Sequence, residues 1–492
     1  MLGLLVAGVT LRVIAALQTG ALVDELTYQY LGASVWKHDI PEIRPEFGQL
    51  SQPFLWHPPF FFFLLGRWFS LWGNDGLVTA RLLSVVVSAV MLCLVYIVAR
   101  KISGARVALL ALFLIALDPW LILINQAVYI ENSQMVLTLL AIWAYWGATR
   151  QDANANKGAY ILRYALAGFA VGVVVIYKHI GAYLLLAVFV NLLLTRGRHR
   201  LGHVYLLATA AVVLAIYSGA MHTIFGSLFD QETIAQVRRT LGLSSAPGLN
   251  YGPVTAATAI VQTYWIFPIT ILTLLAGALA AGVCVVRQAM GKRQGETLIL
   301  SWAVAAVISG AGIALKSPHY FILWLIPLYL LLSEQTPAVI VSVTSRLRKE
   351  RRYVAWETGA ALALVLVLNL WSFHARFMSG ASDSLESAVA YVNTHVPSNA
   401  IVAVDASAGP DLTRPYRSFP ADTRKELYRR RAQYLFLYWS LTNPIPVTLG
   451  DISTYCIQSH RFDGFNDHVQ VCRLIVGRLS PQASRAGDDD VK

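Results

Sequence analysis

The chain has 492 residues, of which 56% are hydrophobic and 13% charged, and its mean hydropathy is +0.56. Soluble domains carry about 25% charged residues, so an ordinary soluble protein is excluded and a polytopic membrane protein is indicated. The net charge of +12 raises the question of nucleic acid. The Lys and Arg residues nevertheless fall in short connections between apolar runs, where membrane topology accounts for them and no nucleic-acid partner is expected.

Residues 1–19 lack a basic leader and a small-residue cleavage site, so they read as a first membrane helix rather than a signal peptide. Further spans are expected at 80–99, 107–124, 131–148, 161–177, 180–195, 204–220, 259–285, 297–315, 319–333 and 354–373, giving about eleven crossings. The first connection, 20–79, is long. It opens on Asp24-Glu25, closes on His57-Pro58-Pro59, and runs into Phe60–Trp72. That segment is apolar but short, interrupted by Arg67 and rich in Trp, which suits an interfacial helix better than a span.

Basic residues cluster in every even-numbered connection: Arg100, Lys101 and Arg106; Arg150, Lys157 and Arg163; Arg196 to Arg200; Arg287 to Arg293; and Arg346 to Arg352. These five connections are therefore assigned to the cytoplasm, and the odd-numbered ones to the outside together with the C-terminus. The fold class expected is an all-α polytopic membrane bundle with a long first outer loop carrying interfacial helices. A small extracytoplasmic α/β domain follows.

The domains are residues 1–373, residues 374–478, and a charged disordered tail at 479–492. Within the second, Ser384–His395 reads as a helix and 400–405 as a strand. Strands or short helices are expected at Tyr434–Trp439, Ile445–Leu449 and Val469–Val476. Cys93 and Cys284 lie in apolar runs and read as inert. Cys456 and Cys472 share the outer segment, where an oxidising compartment lets them pair.

This topology places the unusual ionisable residues on one side. Asp24, Glu25 and His57 belong to the first connection, Glu131 to the third, Lys178 and His179 to the fifth, and Lys316 and His319 to the ninth. Charges at one membrane depth can line a water-filled cavity and pair there. Each also has a structural reading. Carboxylates suit helix N-termini, lysines snorkel, and Asp118-Pro119 reads as a helix breaker outside the site. Taken together, the set suits a displacement with an anionic leaving group. A carboxylate takes the proton of an attacking hydroxyl, and Lys178 offsets charge on a departing phosphate.

At these residues the chain resembles the C-type membrane glycosyltransferases, close to the protein O-mannosyltransferase and lipid A aminoarabinose transferase families. The resemblance rests on Asp24-Glu25 with Tyr28 and Tyr30, Trp56-His57-Pro58-Pro59, Ala80-Arg81-Leu82-Leu83-Ser84, Tyr129-Ile130-Glu131, Tyr177-Lys178-His179 and Pro318-His319-Tyr320. It covers residues 1–335. Glu131 stands where Asp is usual, His179 where Gly is usual, and His319 where Arg is common.

The resemblance implies a polyprenyl-phosphate sugar donor at the outer leaflet of a bacterial plasma membrane, and a glycan, lipid or protein acceptor. It implies an inverting transfer in which Asp24 is the base and Glu25 supports it. Lys178 holds the donor phosphate, and His57 and Glu131 shape the sugar pocket. His179, His319 and Tyr320 complete the substrate-binding set. Some relatives also hold a divalent metal near the acidic residues, which here means Asp24 and Glu131.

Two other functions compete. A lipid or polysaccharide transporter needs polar residues running through the bundle, whereas here they are expected to stop in the outer half. A polysaccharide ligase needs basic residues in a large late outer loop; residues 221–258, with His222, Arg238 and Arg239, have the length but no carboxylate pair.

Overall fold

A computed structural model gives the fold. It describes residues 1–19, 25–43, 52–55, 57–150, 156–195, 199–240, 268–290, 297–312, 320–347, 351–374, 384–404, 416–418, 431–440, 456–463 and 467–475.

The chain begins with α1 (Leu2–Gln18) and continues through α2 (Glu25–His38), a small antiparallel pair β1 (Glu42–Ile43) and β2 (Gln52–Pro53), and α3 (Phe60–Trp72). Two of these helices form a close pair. A Cβ on Gly32 of α2 would lie 2.6 Å from Leu65, and one on Gly66 of α3 would lie 2.8 Å from Val35. Small residues thus let the backbones approach, and α3 buries Phe61, Phe62, Leu65 and Phe69 on one face while Phe63, Leu64, Leu71 and Trp72 stay exposed on the other.

Next come α4 (Leu77–Ser103), α5 (Ala105–Leu117), α6 (Pro119–Gln126), α7 (Ile130–Thr149), α8 (Lys157–Tyr177), α9 (Tyr183–Leu194), α10 (Arg200–Phe225) and α11 (Ser227–Thr240). After them stand α12 (Pro268–Ala289), α13 (Thr297–Gly312), α14 (Phe321–Leu347) and α15 (Arg351–Phe373). Among the described residues, four helices are long and apolar enough to cross a membrane: Leu77–Ser103, Lys157–Tyr177, Arg200–Phe225 and Thr270–Ala289. The bent pair α5–α6 makes a fifth, and shorter apolar helices such as Leu2–Gln18 and Thr297–Gly310 stand at other expected spans.

Asp118 turns the chain by 68° between α5 and α6, as the Asp-Pro sequence leads one to expect. Its carboxylate accepts from the Leu121 N–H (2.7 Å), capping α6. It also accepts from Thr270 Oγ1 of α12 (2.8 Å) and from the Tyr329 hydroxyl of α14. The other side of the break is held by Arg12 of α1. Its guanidinium donates to the Ile115 and Ala116 carbonyls (3.3 and 2.9 Å) and to Asn125 Oδ1 (2.9 Å). A broken helix exposes carbonyls at one end and amides at the other. Here a buried cation meets the first set and a buried carboxylate the second.

The last part forms α16 (Ser384–His395) and a mixed sheet of β3 (Val402–Val404), β4 (Tyr416–Ser418), β5 (Tyr434–Ser440), β6 (Cys456–Asp463) and β7 (Asp467–Leu474) in the order β4-β3-β5-β7-β6. β3 runs parallel to β4 and β5, while β7 is antiparallel to β5 and β6. Ala388 and Val392, four residues apart on α16, pack on Val402, Val404, Val469 and Val471, two apart on their strands. Leu26 of α2 joins this cluster, so the sheet sits over the start of α2. Cys456 and Cys472 are joined by a disulfide. The strand expected at Ile445–Leu449 and the tail at 479–492 lie outside the described residues.

Candidate active site at one end of the bundle

Glu25 opens α2 and is fully buried, as is Arg81 of α4 at 2% exposure. Arg81 donates Nε to Glu25 Oε1 (3.0 Å) and Nη2 to Oε2 (2.6 Å). Its third nitrogen donates to the Ala16 and Thr19 carbonyls (3.2 and 2.6 Å), closing the C-terminus of α1. The Val128 N–H donates to Glu25 Oε1 at 2.9 Å. A two-point guanidinium–carboxylate contact fixes direction as well as distance. The pair therefore locks four segments together: the end of α1, the start of α2, the start of α4 and the α6–α7 turn. An arginine early in an apolar helix implies a buried counter-ion, and that signal was open to sequence reading, which took Arg81 only as part of a motif.

The second ion pair joins the next two helix ends. Glu131 lies in the first turn of α7 and is fully buried. Lys178 follows the last residue of α8 in extended conformation (φ −158°, ψ 129°), interrupting the run into α9. Its ammonium donates to Glu131 and lies 4.9 Å from the centre of the Tyr320 ring. Its carbonyl, orphaned by the break, accepts from the Gly181 N–H (2.8 Å) and from Gln134 Nε2 (3.0 Å). A desolvated cation is thus held between a carboxylate and an aromatic face.

Aromatic rings connect the two pairs. Tyr28 contacts His57 (6.0 Å between centroids) and Tyr129 (6.5 Å), two residues before Glu131. Phe60, which opens α3 after the His-Pro-Pro turn, stacks on Tyr177 (6.3 Å, 13°) and meets Tyr217 (5.8 Å). His179 is half-buried; burial first, and Lys178 second, hold its pKa below the usual value. Glu25, His57, Glu131, Lys178, His179 and Tyr320 are therefore brought to one end of the bundle. Asp24, Lys316 and His319 lie outside the described residues.

The family model of the dolichyl-phosphate-mannose-protein mannosyltransferases matches residues 56–221, a stretch that includes Glu131 and Lys178. The structure resembles ArnT from Cupriavidus metallidurans bound to undecaprenyl phosphate, at 15% identity and TM-score 0.57, over 96% of this chain and 97% of that one. It resembles the apo oligosaccharyltransferase of Archaeoglobus fulgidus at 12% identity and TM-score 0.57, over 89% of this chain and 69% of that one. The chain has the fold of the C-type membrane glycosyltransferases. The archaeal oligosaccharyltransferase AglB in complex with an inhibitory peptide and a dolichol-phosphate aligns at 12% identity and TM-score 0.55, over 88% and 69% of the two chains. No curated protein sequence matches significantly.

Within this C-type fold the described residues do not make a metal site. No three His, Cys, Asp or Glu side chains converge among them, and Glu131 already faces the Lys178 ammonium. Sequence reasoning also missed Ser133, beside Tyr177, and Gln134, which bonds the Lys178 carbonyl, and took Tyr177 only as part of a motif.

One expectation is corrected: polar residues do not stop at this end. Tyr145 hydrogen-bonds Asn191 (2.9 Å) and His203 (2.6 Å), and Asn191 reaches Ser301 of α13 (3.2 Å). These residues stand on four different helices far apart in the chain, so nothing in the linear pattern groups them. Asn191 also donates to Thr297 Oγ1 (3.3 Å), and His203 Nδ1 meets the His199 carbonyl (2.9 Å), so the group ties α7, α9, α10 and α13 together.

Proposed function

We propose that the protein transfers a sugar from a polyprenyl-phosphate donor to an acceptor hydroxyl at the outer face of the membrane, with inversion. The observation that carries this reading is the Lys178 ammonium, enclosed by Glu131 and Tyr320 at the bundle end where the first connection arrives. The acceptor oxygen attacks the anomeric carbon from the face opposite the phosphate, so the configuration inverts. Asp24 takes the hydroxyl proton. The bond between that carbon and the phosphate oxygen breaks, its electron pair stays on the phosphate, and Lys178 offsets the charge. Glu25 anchors the segment one peptide bond from Asp24 through Arg81. His57, Glu131, His179, His319 and Tyr320 bind substrate. The undecaprenyl phosphate and dolichol-phosphate held by structures of the same fold support a lipid-phosphate donor.

The same reading carries eleven crossings in residues 1–373 and an outer domain at 374–478. Basic turns such as Arg100-Lys101 at the end of α4, opposite the site, support its orientation. A disulfide in the outer domain supports an oxidising side. The test is sugar transfer from polyprenyl-phosphate sugars in membrane vesicles. Asp24→Asn is expected to lower the rate by about 10²- to 10⁴-fold at unchanged expression and melting temperature. A rate equal to that of the unaltered protein removes Asp24 as the base.

A further inference from the structure

Among the described residues, three buried polar groups near Lys178 have no hydrogen-bond partner: Ser133 Oγ, the Tyr177 hydroxyl and Gln134 Oε1. Their residues are 7%, 8% and 0% exposed. Such groups cost stability when left unmade, and three of them on residues that adjoin the Lys178 backbone or one another form a cluster that a ligand can complete. Ser133 lies two residues beyond Glu131 in the first turns of α7, and Tyr177 immediately precedes Lys178. Their hydroxyls face each other without a bond of acceptable geometry. The Gln134 amide is oriented by its N–H donation to the Lys178 carbonyl, which leaves its oxygen aimed elsewhere.

We propose that Ser133, Tyr177 and Gln134 form the subsite that reads the hydroxyl groups of the donor sugar. The inference rests on the donor reading given above and deepens it. Two hydroxyls that both donate and accept, next to an acceptor-only carbonyl, match a polyhydroxy ring. They do not match a phosphate, which presents acceptors to the Gln134 oxygen, nor a hydrocarbon tail. The sugar is joined to the phosphate through one oxygen, so groups flanking the phosphate-holding lysine meet the donor sugar rather than the acceptor. Phe60 stacks over Tyr177 and is 39% exposed, so rotation of its side chain opens the Tyr177 hydroxyl to the incoming ring.

The experiment compares ligand-free melting temperature and lipid binding for the unaltered protein, Ser133→Ala and Tyr177→Phe in nanodiscs. The probes are undecaprenyl phosphate and undecaprenyl phosphates carrying mannose, glucose or arabinose. Removing an unpartnered hydroxyl is expected to leave the ligand-free melting temperature unchanged or higher. Binding of bare undecaprenyl phosphate is expected to stay the same, while binding of the best glycosylated probe falls about 3- to 10-fold. An equal loss on both kinds of probe overturns the proposal, because it makes the residues supports for Lys178. So does a lack of loss on every glycosylated probe. If the unaltered protein prefers no glycosylated probe to the bare lipid, the donor reading itself fails and the subsite falls with it.

Discussion

Arg81 holds Glu25 by two hydrogen bonds of 3.0 and 2.6 Å, with both side chains withdrawn from solvent. Breaking such a pair from one side strands the other charge and costs about 3–5 kcal/mol, whereas replacing both with apolar groups is often nearly neutral. Glu25→Leu and Arg81→Met are each expected to lower the melting temperature sharply in detergent. The double variant is expected to recover most of the loss. Additive losses across this cycle would show that the two residues act separately.

Asp118 is expected to matter for stability. Asp118→Ala removes a helix cap worth about 1 kcal/mol and the acceptor of Thr270 and Tyr329, buried donors whose loss of a partner costs about 1–3 kcal/mol each. It also leaves Arg12 without the nearby carboxylate. Asp118→Asn keeps an acceptor for the cap and is expected to fall between Ala and the native residue. Thermal unfolding of the three proteins gives the order, and an Asn variant no better than Ala contradicts it.

The Cys456–Cys472 bond predicts a thiol count. Unfolded without reductant, the protein is expected to present two reactive thiols, from Cys93 and Cys284, and four after reduction. The bridge closes a loop of sequence separation 16, for which chain entropy gives about 3 kcal/mol. Cys456→Ser is therefore expected to make the β6–β7 hairpin cleave faster under limited proteolysis. Four thiols without reductant remove the bond.

His179 gives a pH dependence with a defined sign. Burial and the neighbouring Lys178 depress its pKa in the folded protein, so the unfolded chain binds the proton more readily. Its contribution to stability is present above the ordinary histidine pKa near 6.5 and is lost as pH falls through the depressed folded value. The melting temperature is expected to drop on acidification across that window, and His179→Gln to flatten the drop. An unchanged slope in the variant assigns the pH dependence to other groups.

How far the sequence could be read depended on whether the signal was local. The helix break at Asp118-Pro119, the strand expected at 400–405 and the helix at Ser384–His395 each follow from neighbouring residues, and the structure has all three, the strand as Val402–Val404. Ile445–Leu449 and Asp24 lie outside the described residues. Tyr145, Asn191, His203 and Ser301 went unread as a group, because a lone polar residue in an apolar helix does not reveal which other helix answers it.

Composition and the spacing of apolar runs by themselves determined a membrane bundle with a polar C-terminal part, because a long apolar run crosses hydrocarbon as a helix that satisfies its backbone groups internally. The order of the acidic, His-Pro-Pro and Lys elements carries the resemblance to the C-type glycosyltransferases. Only the tertiary structure decided who meets whom. Glu25 is taken by Arg81, 56 residues along, and Glu131 by Lys178, 47 along. Desolvated charges must find opposite charges across helices, and a linear sequence records each charge without its partner.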